Sequence, residues 1–122
     1  MAKTVLIVDD EADVLAVLEK RLIGAGYRVI KADNGLDAVK LARLENPNLI
    51  LLDVMMPDLD GAKTAQLLRD DPGTRNIPVM FLTCLITPKE EHHGLKEAGG
   101  HFFIAKPYEP QDLLSEIRKH IA

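Results

Sequence analysis

Five short apolar segments set the terms on which this chain can fold. They fall at residues 5–8, 28–30, 49–52, 79–82 and 102–104, and each is separated from the next by enough residues for a helix. Three of them are four apolar residues in a row: Val5-Leu6-Ile7-Val8, Leu49-Ile50-Leu51-Leu52 and Val79-Met80-Phe81-Leu82. A strand with one wet face alternates apolar with polar. A strand buried on both faces does not, which is the pattern of a parallel sheet covered by helices on either side.

The segments between carry helical periodicity. Val14, Leu18 and Leu22 recur at i, i+4 and i+8 with Leu15 beside them, and Gly24 and Gly26 are stop signals just beyond. Ala38, Leu41 and Ala42 share one face of residues 36–45, which end before Pro47. Ala62, Ala65 and Leu68 make a narrower stripe over 61–69. Thr87-Pro88-Lys89-Glu90 reads as a capping box with proline at the first helical position. Leu114, Ile117 and Ile121 form the final stripe, with Lys119 and His120 in a last turn that favours cations. Strand and helix therefore alternate five times, which predicts an α/β fold with right-handed crossovers. A closed eight-stranded barrel needs ~250 residues, and the chain has 122. What remains is an open, doubly wound, five-stranded parallel sheet in a single domain over residues 1–122.

Composition narrows the function classes. The single cysteine, Cys84, permits no internal disulfide and favours a reducing compartment. No apolar run approaches the ~18 residues of a membrane span, and Val5 to Val8 is too short for a signal-peptide core. The expectation is a cytoplasmic protein with no membrane partner. Net charge is −4 with both signs scattered, which argues against direct nucleic-acid binding. His92 and His93 are adjacent and cannot share a helix face, so a histidine metal site is not expected.

The chemistry gathers where open α/β sheets place their ligands, at the C-terminal ends of the strands. The first strand runs into Asp9-Asp10-Glu11, the third ends in Asp53, the fourth in Thr83 and the fifth in Lys106-Pro107. One crevice then holds at least three carboxylates, a hydroxyl and an ammonium. Two carboxylates ~4 Å apart repel by ~4 kcal/mol at an effective dielectric of ~20. A divalent cation relieves that cost, and Mg²⁺ suits it: it prefers oxygen ligands, keeps waters, and binds through one or two carboxylates plus phosphate oxygens. Metal, lysine and hydroxyl together can hold a phosphoryl group. No glycine-rich phosphate loop follows any strand, so a nucleotide is not indicated. Taken singly, Asp53 could be a turn residue and Asp9-Asp10-Glu11 a solvated helix start. The functional reading rests on their conjunction.

The sequence resembles the receiver domain of two-component response regulators. The resemblance is carried by Val5 through Glu11, Leu51-Leu52-Asp53-Val54-Met55-Met56-Pro57, Asp60-Gly61, Pro78-Val79 through Leu82-Thr83, Glu97-Ala98-Gly99 and Lys106-Pro107. It spans nearly the whole chain, and it implies a flavodoxin-like (βα)5 sheet of order 2-1-3-4-5. It implies that Asp53 is the phosphoacceptor and that Asp10 is the main direct Mg²⁺ ligand. Asp9 would bind directly or through water, and the backbone carbonyl of Met55 would complete the protein's share of the metal shell. Thr83, Lys106 and the backbone N–H of Cys84 would hold phosphoryl oxygens, with the Lys106–Pro107 bond cis. Thr83 and Phe103 would be the switch residues. A histidine kinase or phosphotransfer protein would supply the phosphoryl group. The face built from the fourth helix, fifth strand and fifth helix would then change its binding to a downstream protein or a covalently linked output domain. Such a domain catalyses only its own phosphorylation and dephosphorylation and is not otherwise an enzyme.

Two positions depart from the family pattern. Cys84 stands where a small alanine is usual, and the stretch from Thr83 to Lys106 is about one residue longer. Met55 and Leu85, two residues past the acceptor and the hydroxyl, are apolar and are expected to flank the path of an attacking water. A Mg²⁺-dependent aspartate-nucleophile phosphatase is the alternative function. It would carry an Asp-x-Asp after its first strand, whereas the acids here are adjacent. A flavin carrier would need a phosphate loop where Asp-Asp-Glu stands, and a binding-only pseudo-receiver would leave chemical positions unfilled.

Overall fold

The computed structural model describes residues 2–53, 61–83, 102–105 and 110–121. Along the chain it runs β1 (Thr4–Val8), α1 (Ala12–Gly24), β2 (Arg28–Ala32), α2 (Gly35–Glu45), β3 (Leu49–Asp53), α3 (Gly61–Asp70), β4 (Val79–Thr83), β5 (Phe102–Ala105) and α4 (Pro110–Ile121). The helix expected from Pro88 falls outside the described residues. The five strands form one parallel sheet of order β2-β1-β3-β4-β5, as the alternating pattern and the family resemblance together predict.

The apolar runs are unbroken because alternate residues feed two separate cores. Leu6, Val8, Ile50, Leu52, Val79 and Phe81 pack with Ala38 and Ala42 of α2 and Ala65 and Leu68 of α3. Val5, Ile7, Leu49, Leu51, Met80 and Leu82 pack with Leu15, Leu18 and Leu22 of α1 and with α4. Burying one such leucine or isoleucine contributes roughly 1.5–3 kcal/mol, so neither face tolerates a polar residue in these strands. In α4 the buried stripe is Leu113, Ile117 and Ile121, with Leu114 only partly covered. The expected stripe began at Leu114. Both leucines lie at helical spacing from Ile117, and it is Leu113 that packs fully into the core beneath the sheet.

Local signals stop the helices. The chain leaves α1 through Gly26 at φ +97°, a left-handed conformation that a Cβ disfavours. Asn34 caps α2 by accepting the N–H of Asp37 at 2.8 Å, and Asn46 at φ 48° closes it, its N–H donating to the Ala42 carbonyl at 3.0 Å. At the sheet edge, β2 carries Arg28 against Glu45 at 3.4 Å on one face and Lys31 against Glu19 at 3.0 Å on the other. Exposed pairs of this kind add little stability. Their charges do blunt an edge strand that would otherwise template association.

Asp71 turns the chain after α3. Its Oδ1 accepts the N–H of Gly73 at 2.8 Å, and Oδ2 accepts Arg43 Nε at 2.8 Å and also Nη2. The Gly73 N–H, and next the Arg43 guanidinium, hold its carboxyl below the usual carboxylate range. A folded value below the unfolded one gives stability that is present above the unfolded value, ~3.9, and lost as the pH falls through the folded one. Asp71→Asn keeps the acceptor for Gly73 but removes the charge. The stability difference between wild type and Asp71→Asn, followed by urea unfolding, is expected to be largest above about pH 5 and to shrink on acidification. A difference independent of pH would show that the charge contributes nothing.

Candidate functional site

β3 and β4 end on the first polar residue after their apolar runs, and β1 and β5 stop one residue before theirs. Beyond Val8, the N–H of Asp9 donates to the Ala32 carbonyl at 3.2 Å, carrying the β1–β2 ladder one step further. Asp9 is 1% exposed. Its Oδ1 accepts the N–H of Glu11 at 2.9 Å, a side-chain turn that swings the chain out of the sheet and into α1. Glu11, the N-cap residue of α1, makes no side-chain cap of its own. The acids here therefore differ in what they do for the fold: Asp9 shapes the turn, whereas among the described residues no such turn bond is seen for the Asp10 carboxylate.

Asp10 is half-buried, and its Oδ1 is enclosed with no hydrogen-bond donor among the described residues. A carboxylate oxygen removed from water without a donor is costly, by several kcal/mol when ionised. Nothing in the packing of α1 requires it. Such an oxygen, next along the chain from the carboxylate of Asp9, has the chemistry that suits a hard cation of the Mg²⁺ kind rather than a softer metal.

Strand register places the remaining positions. Val8 lies opposite Leu52, so Asp9 and Asp53 are the next pair across β1 and β3. Adjacent strands lie ~4.8 Å apart. Asp53 lies opposite Leu82, one residue before Thr83, and Thr83 lies opposite Ala105, one residue before Lys106. Phe103 lies opposite Phe81. The backbones of Asp9, Asp10, Asp53 and Thr83 thus reach one edge of the sheet, with β5 ending beside them. Cys84, Met55, Leu85, Lys106 and the Lys106–Pro107 bond lie outside the described residues, as do the side chains of Asp53, Thr83 and Phe103. Among the described residues no three metal-ligating side chains converge.

Sequence reading missed one acid at this edge. Val8 lies opposite Ala32, which puts Asp33 next to Asp9. Asn34 Nδ2 donates to Asp33 Oδ1 at 2.8 Å and to Asp37 Oδ2 at 3.0 Å, tying both carboxylates down. The signal was available: Asp33 is the first acid after β2. It was obscured because Lys31 interrupts that strand.

Comparison with known proteins agrees with this geometry. Residues 5–118 match the family model of the response regulator receiver domain. The chain is 41% identical over 116 residues to the probable transcriptional regulator ycf27 of Cyanophora paradoxa, covering 95% of this chain and 47% of that protein. It therefore spans about half the length of the curated relatives it matches. Among solved structures, chemotaxis protein CheY4 of Vibrio cholerae superposes with a TM-score of 0.89 at 28% identity, covering 98% of this chain and 99% of that one. The receiver domain of sensor histidine kinase PA1611 from Pseudomonas aeruginosa, with a magnesium ion coordinated in its active-site cleft, superposes at 0.88. It is 27% identical and covers 99% of this chain and 98% of that one. Among the described residues no helix is long and apolar enough to cross a membrane.

Proposed function

Because this chain belongs to the response regulator receiver domain family and is a receiver of two-component signalling, we propose that Asp53 accepts the phosphoryl group and that Asp9 and Asp10 hold the Mg²⁺ that makes the transfer possible. The observation that carries this reading is the enclosed, donorless Oδ1 of Asp10 beside buried Asp9, in register with the end of β3. Asp10 and Asp53 would hold the cation directly, the Met55 carbonyl would add a further oxygen, and Asp9 would orient the turn and join the shell directly or through water. When bound, Mg²⁺ neutralises charge on the phosphoryl oxygens and draws them to the acids.

The protein's own residues do the rest. A carboxylate oxygen of Asp53 attacks phosphorus in line. The bond from phosphorus to the donor's imidazole nitrogen breaks, its electron pair stays on that nitrogen, and an aspartyl phosphate results. Lys106, Thr83 and the N–H of Cys84 each take a phosphoryl oxygen. The donor is a histidine kinase or phosphotransfer protein. The domain turns over no separate substrate and acts in the cytoplasm. Phosphorylation adds ~1.5–2 negative charges. Thr83 and Phe103 shift to accommodate them, and the face built from the helix expected after Pro88, β5 and α4 changes its preference for a downstream protein or linked output domain.

Intact mass tests the reading. Incubated with a small phosphodonor and Mg²⁺, the chain should gain ~80 Da once, and excess chelator should prevent the gain. Equal labelling with and without the chelator would remove the metal from the account.

A further inference from the structure

Asn34 and Gly35 make the one Asn-Gly pair in the sequence, and each residue has a structural task. Asn34 is the N-cap of α2, with extended backbone and its Oδ1 accepting the Asp37 N–H at 2.8 Å. Gly35 sits against α3. A Cβ there would lie 2.3 Å from Thr64 Oγ1 and 3.7 Å from its Cγ2. Thr64 is buried, so its stiff, β-branched side chain has little freedom to turn away. Glycine is therefore favoured at 35 by packing, and a capping side chain, here asparagine, at 34. Together they form the dipeptide most prone to spontaneous deamidation, because glycine leaves its backbone nitrogen unshielded.

We propose that Asn34-Gly35 is a latent modification site, closed while the first turn of α2 is folded and opened when that turn unwinds. In the reaction the Gly35 backbone nitrogen loses its proton and attacks Asn34 Cγ. A carbon–nitrogen bond forms, Nδ2 leaves as ammonia, and water opens the resulting succinimide to aspartate or isoaspartate. The net change is one water gained for one ammonia lost, with no other reactant.

Three hydrogen bonds stand in the way. The amide is held through Oδ1 to Asp37 N–H, and through Nδ2 to Asp33 Oδ1 at 2.8 Å and Asp37 Oδ2 at 3.0 Å. Ring closure must release all three. The two carboxylates also disfavour the anionic nitrogen that attacks. Once modified, residue 34 carries a charge between Asp33 and Asp37 and no longer donates to either, one strand from Asp9. Isoaspartate also lengthens the main chain at the cap. Chemical ageing would therefore alter the electrostatics of the acidic edge itself.

The test is peptide mass mapping of the full chain, incubated at mildly alkaline pH either folded or in denaturant. Asn48 and Asn76, followed by Leu49 and Ile77, serve as internal controls. Modification is expected at Asn34, at least ~10-fold slower in the folded chain, since each hydrogen bond released costs ~1 kcal/mol. Asp37→Pro removes two of the three partners at a first-turn position where proline is tolerated. In its folded form the rate should move towards the denatured one. Asn34→Ser keeps a cap and should remove the modification. Equal rates in folded and denatured wild type, or a folded Asp37→Pro variant as slow as wild type, would overturn the proposal. The wild-type comparison needs no variant and decides the matter even if Asp37→Pro does not fold.

Discussion

Asp10→Ala is expected to lose at least ~10-fold in Mg²⁺ affinity and at the same time to make the metal-free protein more stable. Both effects come from one atom. Asp10 Oδ1 is enclosed with no donor among the described residues, so without a cation it is a buried, unsatisfied acceptor. Such a group costs ~1–3 kcal/mol, more if charged. Like-charge repulsion from Asp9 next to it adds to that cost. Removing the carboxylate relieves the fold and deprives the metal of its proposed main ligand. A loss of ~1.4 kcal/mol in metal binding corresponds to the tenfold change. Asp9→Ala should behave oppositely in stability. Its Oδ1 anchors the Glu11 N–H at 2.9 Å, so the turn into α1 loosens, while metal affinity falls by less than in Asp10→Ala. Titration calorimetry with Mg²⁺ and urea unfolding in chelator measure the two quantities. Unchanged affinity in Asp10→Ala, or a less stable metal-free form, would contradict the assignment.

The phosphorylated chain is expected to be long-lived, and Met55→Asn combined with Leu85→Glu should shorten its life by ~10²-fold. Hydrolysis needs a water in line with the bond from Asp53 oxygen to phosphorus. The residues two past the acceptor and two past Thr83, Met55 and Leu85, are apolar in this sequence. Neither side chain can orient a water, and their bulk is expected to hinder its entry. Supplying a positioning group is worth about 10²-fold, or ~2.7 kcal/mol. Decay of the labelled protein, followed by intact mass with Mg²⁺ present, gives the rate. A double variant that decays no faster than wild type means the lifetime is set elsewhere, with Cys84 the next residue to change.

Much of the site was legible because burial and chemistry mark the same boundary. A strand covered on both faces admits no polar residue, so the first polar residue after each run is also the first that can reach the crevice. That rule located Asp9, Asp53 and Thr83, and register then brought them to one edge. It failed at β2. An edge strand needs charge to discourage association, so Arg28 and Lys31 blur where the strand stops. The strand extends to Ala32, and Asp33 with its Asn34 tether went unseen. Periodicity likewise could not choose between Leu113 and Leu114, since adjacent leucines satisfy the helical pattern equally. Only the contact with the sheet distinguishes them. The Thr64–Gly35 contact was hidden for a further reason: nothing in a linear pattern records how closely α2 and α3 approach.

The claim that Asp53 carries the phosphoryl group is tested most directly by Asp53→Asn, an isosteric change that removes the nucleophile and keeps the shape. Wild type and variant would be incubated side by side with phosphodonor and Mg²⁺, and their intact masses compared. The account predicts a single gain of ~80 Da in wild type and none in Asp53→Asn. Labelling of Asp53→Asn at undiminished yield would contradict it, and would mean that another residue is the acceptor.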